Sequence, residues 1–93
     1  MWTKIFILAL SNLKHGKLKL SIDGNHHFIS GKFPGPNASL KIEDKDIIKK
    51  ILIEGSVAFG EEYVNGNIKT SNLENLLNYF AINNDEVEKN IKY

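Results

Sequence analysis

At the start of the chain apolar positions recur at helical spacing. Trp2, Ile5, Phe6, Ala9, Leu10 and Leu13 fall on one face. This predicts a helix over 2–13, with Ile7 and Leu8 off the main face, Lys14 and His15 in the last turn and Gly16 as the stop. The period then changes to two. Leu18, Leu20 and Ile22 alternate with Lys17, Lys19 and Ser21, the pattern of a half-buried strand. Asp23-Gly24 is a two-residue hairpin turn, because both central positions favour positive φ, and 25–30 is the returning strand. Gly-Lys-Phe-Pro-Gly-Pro-Asn over 31–37 reads as a loop, and Ala38, Leu40 and Ile42 resume the alternation as a third strand.

Asp44 is placed to cap a second helix, whose stripe is Ile47, Ile48, Ile51 and Leu52 and whose end is Gly55. A short helix over 57–64 closes at Asn65-Gly66, and 67–70 is a short fourth strand. Ser71 with Glu74 forms a capping box that opens a last helix with the stripe Leu73, Leu76, Leu77 and Phe80. From Asn83 the chain turns polar, as a linker or frayed helix does. Strands segregated from helices in this order predict an α+β domain. Its expected form is a small curved, mostly antiparallel sheet of four or five strands, covered on one face by about four helices.

Composition narrows this picture without changing it. The 93 residues make one domain over 1–83, with 84–93 as a polar tail. The net charge of +1 excludes the chain as a whole from binding nucleic acid by electrostatics. The charge is uneven, however. Four lysines and no acid precede Asp23, so the N-terminal part is the one suited to an anionic surface. With no cysteine there is no disulfide and no thiolate chemistry, which fits a reducing compartment. No run approaches the ~20 apolar residues of a membrane span. The run from Ile5 to Leu10 is shorter than the ~7–15 residues of a signal-peptide core. A cytoplasmic location, possible as a peripheral one on the inner membrane surface, is the expectation.

Candidate chemistry is sparse. His26 and His27 are neighbours in a strand and point to opposite faces, so they cannot share a metal in regular geometry. Glu61 and Glu62 lie ~100° apart on a helix and do not aim at one bond; a structural role for Glu61, and a wedge role for Tyr63, fit better than catalysis. Gly55 and Gly60 have P-loop spacing, but two acids follow where the phosphate-binding lysine belongs. No Gly-x-Gly-x-x-Gly and no Gly-x-Ser-x-Gly occurs. No catalytic, cofactor or metal residue is therefore expected. The first helix is the better candidate: Lys4 and Lys14 beside Trp2, Phe6, Ile7 and Leu8 suit the interface of an anionic membrane. The alternatives are that it simply covers the sheet, or that Ile7 and Leu8 touch another domain or subunit.

The stretch from Gly55 to Leu73 resembles the G-x-x-G-x-x-E-x-Y-M-D-G-x-W-x-x-x-D-L signature in the N-terminal domain of cyclopropane-fatty-acyl-phospholipid synthases. Gly55, Gly60, Glu61, Tyr63, Gly66 and Leu73 carry the likeness. Earlier motifs agree in order: Gly16-Lys-Leu-Lys-Leu20, Asp23-Gly24, Gly35-Pro36 and Ala38-Ser-Leu-Lys-Ile42. Asn83-Asn84 falls where many members have a closing asparagine. Val64, Asn65, Ile68 and Asn72 depart from the usual Met, Asp, Trp and Asp. The sequence is also similar to the sterol-carrier-like lipid-binding fold, through Ile22-Asp23-Gly24, Ile47 to Leu52, Asn65 to Thr70 and Leu76-Leu77.

The family resemblance implies a noncatalytic domain that engages a phospholipid or fatty acyl chain. It would serve a catalytic methyltransferase domain, with homodimerisation as a further option. S-adenosylmethionine would bind only in that separate domain, and the tail 84–93 would lead toward it. The sterol-carrier likeness implies instead a freestanding lipid carrier, and a purely structural docking module is a third option.

Overall fold

The computed structural model describes residues 1–84, so the tail expected over 84–93 lies, except for Asn84, outside the described residues. The chain runs through α1 (Trp2–Ser11), β1 (His15–Ile22), β2 (Asn25–Ser30), β3 (Phe33–Ile42), a 3-10 turn (Lys45–Ile47), α2 (Ile48–Glu54), α3 (Ser56–Val64), β4 (Ile68–Lys69) and α4 (Leu73–Ile82). The four strands form one open sheet in the order β2-β1-β3-β4. β1 with β2 and β3 with β4 are antiparallel, whereas the central pair β1 and β3 is parallel. This is the expected α+β arrangement, mostly antiparallel with four helices.

The parallel pair has a specific origin. β2 returns along one edge of β1, and the chain then crosses the start of β1 to lay β3 along the other edge. Only Gly31 and Lys32 separate the two strands. The crossing is pinned where the Gly31 amide donates to the Gly16 carbonyl (2.9 Å) and the Phe33 amide to the Lys14 carbonyl (2.9 Å). A Cβ on Gly31 would lie 2.3 Å from the Lys14 oxygen, and one on Gly16 would lie 2.3 Å from the Pro36 oxygen. Residues 31–37, which composition marks as loop, therefore divide differently: β3 begins at Phe33. His15 pairs with Phe33 but Lys17 with Asn37, so β3 bulges there. Pro34 and Pro36 sit in that bulge, where a missing amide costs the ladder nothing.

Several boundaries move for local reasons. α1 ends at Ser11 with Asn12 as its C-cap, and Gly16 lies inside β1 at φ 84 rather than stopping a helix. Asp23 and Gly24 take the positive φ values, 50° and 81°, that the hairpin demands. Asp44 caps the 3-10 turn, its Oδ1 accepting from the Asp46 amide at 2.9 Å, and α2 starts only after it. Asn72, not Ser71, caps α4: its Oδ1 accepts from the Asn75 amide at 3.0 Å. Ser71 is instead engaged with Ser39, at 2.8 Å between hydroxyls. α4 is also turned relative to its expected stripe, burying Leu76 and Tyr79 while Leu77 stays 52% exposed.

The inner sheet face supplies Leu18, Leu20, Ile22, Leu40, Ile42 and Ile68 to one core, met by Phe6, Leu10, Ile48, Leu76 and Tyr79 from the helices. Each such side chain contributes ~1.5–3 kcal/mol by leaving water. Burial pushes the Tyr79 phenol up to about 12. Its ordinary value in the unfolded chain is ~10. The neutral form is thus the one the fold prefers. That preference is fully present below pH ~10 and lost as pH rises to about 12. Urea unfolding is expected to show a loss of about 2–3 kcal/mol across this window, and Tyr79→Phe should flatten most of it.

Candidate functional site

The signature 55–73 resolves into a structural staple. Gly55 joins α2 to α3 at φ 67, a conformation that favours glycine. Its amide donates to Ile51 (2.8 Å) and its carbonyl accepts from Phe59 (3.1 Å), so it ends one helix and starts the next. The second glycine of the pattern falls on Ala58, which is fully buried, and not on Gly60, so Gly60 drops out of the likeness. Gly60 faces open space, and nothing in the structure requires a glycine there. Asn65 is the C-cap of α3, Gly66 follows at φ 84, Ile68 is buried in β4, and Asn72 is the N-cap of α4. Asp at position 72 would cap as well as Asn, so that departure from the signature keeps the physical role. Leu73 is half-buried at the start of α4.

The carboxylate that holds this region together is Glu62, not Glu61. Glu62 is buried at 6% exposure. Its Oε1 accepts from Asn67 Nδ2 at 2.7 Å and its Oε2 from Lys50 Nζ at 3.2 Å, tying α3 to the following turn and to α2. Glu61 is exposed and shares Lys50 at 3.0 Å. Tyr63, expected as a wedge between helix and sheet, is 38% exposed. It sits one residue past the inward position.

The Asn67 hydrogen bond, then that of Lys50, holds the Glu62 carboxyl below the usual carboxylate range. The Lys50 ammonium is raised, first by Glu61 and then by Glu62. A depressed acid stabilises the fold above the unfolded carboxylate value of ~4.3, and that support disappears as pH falls through its folded pKa. Glu62→Gln should therefore lower the melting temperature at pH 7. It should also narrow the gap to the parent as pH drops below ~4, as read by thermal melts over an acid series. A carboxyl held low is the opposite of what a general acid at neutral pH requires.

The candidate residues of the first helix separate. Phe6 is only 2% exposed and belongs to the core, which corrects its assignment to a contact surface, and Ile7 is half-buried against the core. Leu8 is 65% exposed, as the helical spacing off the main face predicts. Ile5, placed by periodicity on the buried face, is exposed at its margin. The row that faces outward is Met1, Ile5 and Leu8, with Lys4 beside it. Trp2 is covered in part by the Lys49 ammonium, 5.5 Å from its ring centre. Lys14 lies beyond the helix, in the link to β1, and its amide donates to Asn83 Oδ1 at 3.1 Å.

Two features escaped the sequence. Asn83, read as the start of a linker, is buried and makes four side-chain hydrogen bonds, to Lys14, His15 (twice) and Tyr79. The outer sheet face brings Lys41 and Lys69 together with Lys17 and Lys19. The alternation of lysines was visible, but strand order was not. His26 and His27 do take opposite faces. Among the described residues no group of His, Cys, Asp and Glu is arranged to hold a metal ion, and no helix is long and apolar enough to cross a membrane. A cleft of about 360 Å³ opens between the helices, lined by Phe6, Leu10, Ile51, Phe59, Leu77 and Phe80 among others.

No family model matches this sequence, and neither a curated protein nor a solved structure does.

Proposed function

We propose that this chain is a noncatalytic accessory domain that engages lipid for a separate S-adenosylmethionine-dependent methyltransferase unit, of the kind found in cyclopropane-fatty-acyl-phospholipid synthases. The observation that carries this reading is the outward row of α1. Met1, Ile5 and Leu8 are exposed by 89%, 43% and 65% on a helix whose other side is sealed in the core. An accessory domain would cover such a contiguous row against its catalytic unit. The signature residues support the same reading, because the roles found for Gly55, Gly66 and the caps at positions 65 and 72 are those of a fold-maintaining motif. Methyl transfer and the methyl donor belong to the other unit. The domain acts at the inner membrane surface, as a peripheral protein of the cytoplasm.

Leu8→Asp should leave the melting transition within ~0.5 kcal/mol of the parent and abolish co-purification with the methyltransferase unit. Lipid engagement itself is tested by co-sedimentation with phosphatidylcholine vesicles, with and without phosphatidylglycerol. Folded protein is expected in the pellet with the anionic vesicles; its remaining in the supernatant with both would remove the lipid part of the reading. The cleft between the helices favours a second reading, a carrier of one acyl chain. Its volume lies within the ~300–1,000 Å³ typical of small-ligand sites. Native mass spectrometry showing no bound fatty acid, after purification and after fatty acid is added back, would count against it.

A further inference from the structure

Strand register sorts the sheet's side chains onto two faces. The inner one is the apolar floor of the core. On the outer one, cross-strand partners align in three rows: Ser30, Lys17 and Asn37; Phe28, Lys19 and Ser39; His26, Ser21, Lys41 and Lys69. The helices pack on the inner side, and all four lysines of the outer face are exposed. Among the described residues the carboxylate paired with them is Glu43, which reaches Lys41 at 3.5 Å and Lys69 at 3.4 Å.

Two details do not follow from simple solvation. Lys41 and Lys69 are direct cross-strand partners, and like charges so placed repel. One carboxylate answers two ammonium groups. Phe28 stands 61% exposed beside Lys19, an apolar ring set among cations. Both details make sense if a plane of negative charge covers the face.

We propose that the outer face of this sheet docks on the phosphate plane of an anionic phospholipid bilayer, with Lys17, Lys19, Lys41 and Lys69 over the headgroups and Phe28 entering the interfacial region. The proposal rests on the lipid-engaging reading and adds where the lipid lies: on the side away from the helical layer, which leaves the row of α1 for the catalytic unit. The geometry favours a bilayer over a nucleic-acid strand. Readers of single strands stack successive bases on several aromatic rings along a track, whereas the rings on these three rows are Phe28 and His26, both on the edge strand β2. Strands ~4.8 Å apart spread the lysines over a plane instead of along a track.

The test compares two triple variants of the full chain on phosphatidylcholine vesicles containing phosphatidylglycerol. In the first, Lys19, Lys41 and Lys69 become Gln; in the second, Lys4, Lys45 and Lys49 become Gln. Each lysine near an anionic surface contributes ~1 kcal/mol, so the first variant should lose about a hundredfold in partition coefficient. The second, with the same net charge, should lose less than about threefold, because its lysines belong to α1, the 3-10 turn and α2 and not to the outer sheet face. Phe28→Ser should cost about tenfold without altering the circular dichroism spectrum. Equal losses from the two triples would overturn the face while leaving lipid engagement intact. Failure of the unsubstituted protein to bind any vesicle would overturn both. If the first triple instead abolishes binding to an oligothymidine strand and leaves vesicle partition unchanged, the occupant is nucleic acid and the bilayer assignment is wrong.

Discussion

Replacing Asn83 by Ala is expected to lower the melting temperature of this domain by roughly 15–25 °C. The side chain is 2% exposed, and all of its hydrogen-bonding capacity is in use. Oδ1 accepts from the amides of Lys14 (3.1 Å) and His15 (2.9 Å), while Nδ2 donates to the carbonyls of His15 (2.9 Å) and Tyr79 (2.8 Å). Alanine leaves four backbone groups without those partners. Each such group costs ~1–3 kcal/mol when buried. Water reaches some of them, so a total of about 3–4 kcal/mol is the expected loss. For a domain this small each kcal/mol shifts the transition by ~4–8 °C. Asn83→Asp separates the two halves of the interaction. It keeps an acceptor for the two amides but sets an oxygen against two carbonyls. At neutral pH it should be nearly as unstable as the alanine variant and should recover partly as acid protonates the new carboxyl. An alanine variant that melts within a few degrees of the parent would show that the joint between α1 and β1 holds without this tie.

The physical meaning of that tie reaches beyond stability. Asn83 follows the last residue of α4; three of its four bonds reach Lys14 and His15 at the entry to β1, and the fourth returns to Tyr79 within α4. The end of the described domain is thereby fastened to the start of its central strand, close to the glycine crossing. Asn83 satisfies the Lys14 amide in the link before β1, both backbone groups of His15 at the first residue of β1, and a carbonyl of the last turn of α4.

What was legible and what was not divide along the same physical line. Local signals held. The alternation of Leu18, Leu20 and Ile22, the Asp23-Gly24 turn and the spacing of Ile48, Ile51 and Leu52 each predict their element, because the cause lies within a few residues. Signals that depend on partners distant in sequence failed. The proline-bearing segment 33–37 is a strand because β1 lies beside it. Ser71 gives up its expected cap because Ser39 is within reach. Asn83 looks polar and is buried because Lys14 and His15 approach from the other end of the chain. For the functional surfaces the limit was face and register. The sequence showed which lysines alternate, but only the pairing of β1 with β3 and of β3 with β4 puts Lys19, Lys41 and Lys69 on one plane. Equally, helical spacing put both Ile5 and Phe6 on the buried face, and only Phe6 turns inward.

The crossing of β2 to β3 supplies the second large effect, read from a pair of glycine variants. Gly16→Ala meets two penalties at once. The backbone is at φ 84, where an L side chain costs ~1–2 kcal/mol. The new methyl would also sit 2.3 Å from the Pro36 carbonyl oxygen and 3.1 Å from the Gly35 carbonyl carbon. Those are backbone atoms, and they cannot swing aside as a flexible side chain does, so overpacking adds about 1–3 kcal/mol. The expected total, about 3–4 kcal/mol, is a large part of what holds a domain of this size together. Gly60→Ala is the opposite case. That glycine lies within α3 with no atom near its absent Cβ, and alanine there should add ~0.5–1 kcal/mol. Chemical denaturation of both variants, and of the two combined, gives three values that must agree. The double variant should fall between the singles by simple addition, since the sites share no contact. If Gly16→Ala proves as mild as an ordinary surface change, the strands do not cross as tightly as described. The parallel pairing of β1 and β3, and with it the plane of lysines on the outer face, would then lose its foundation.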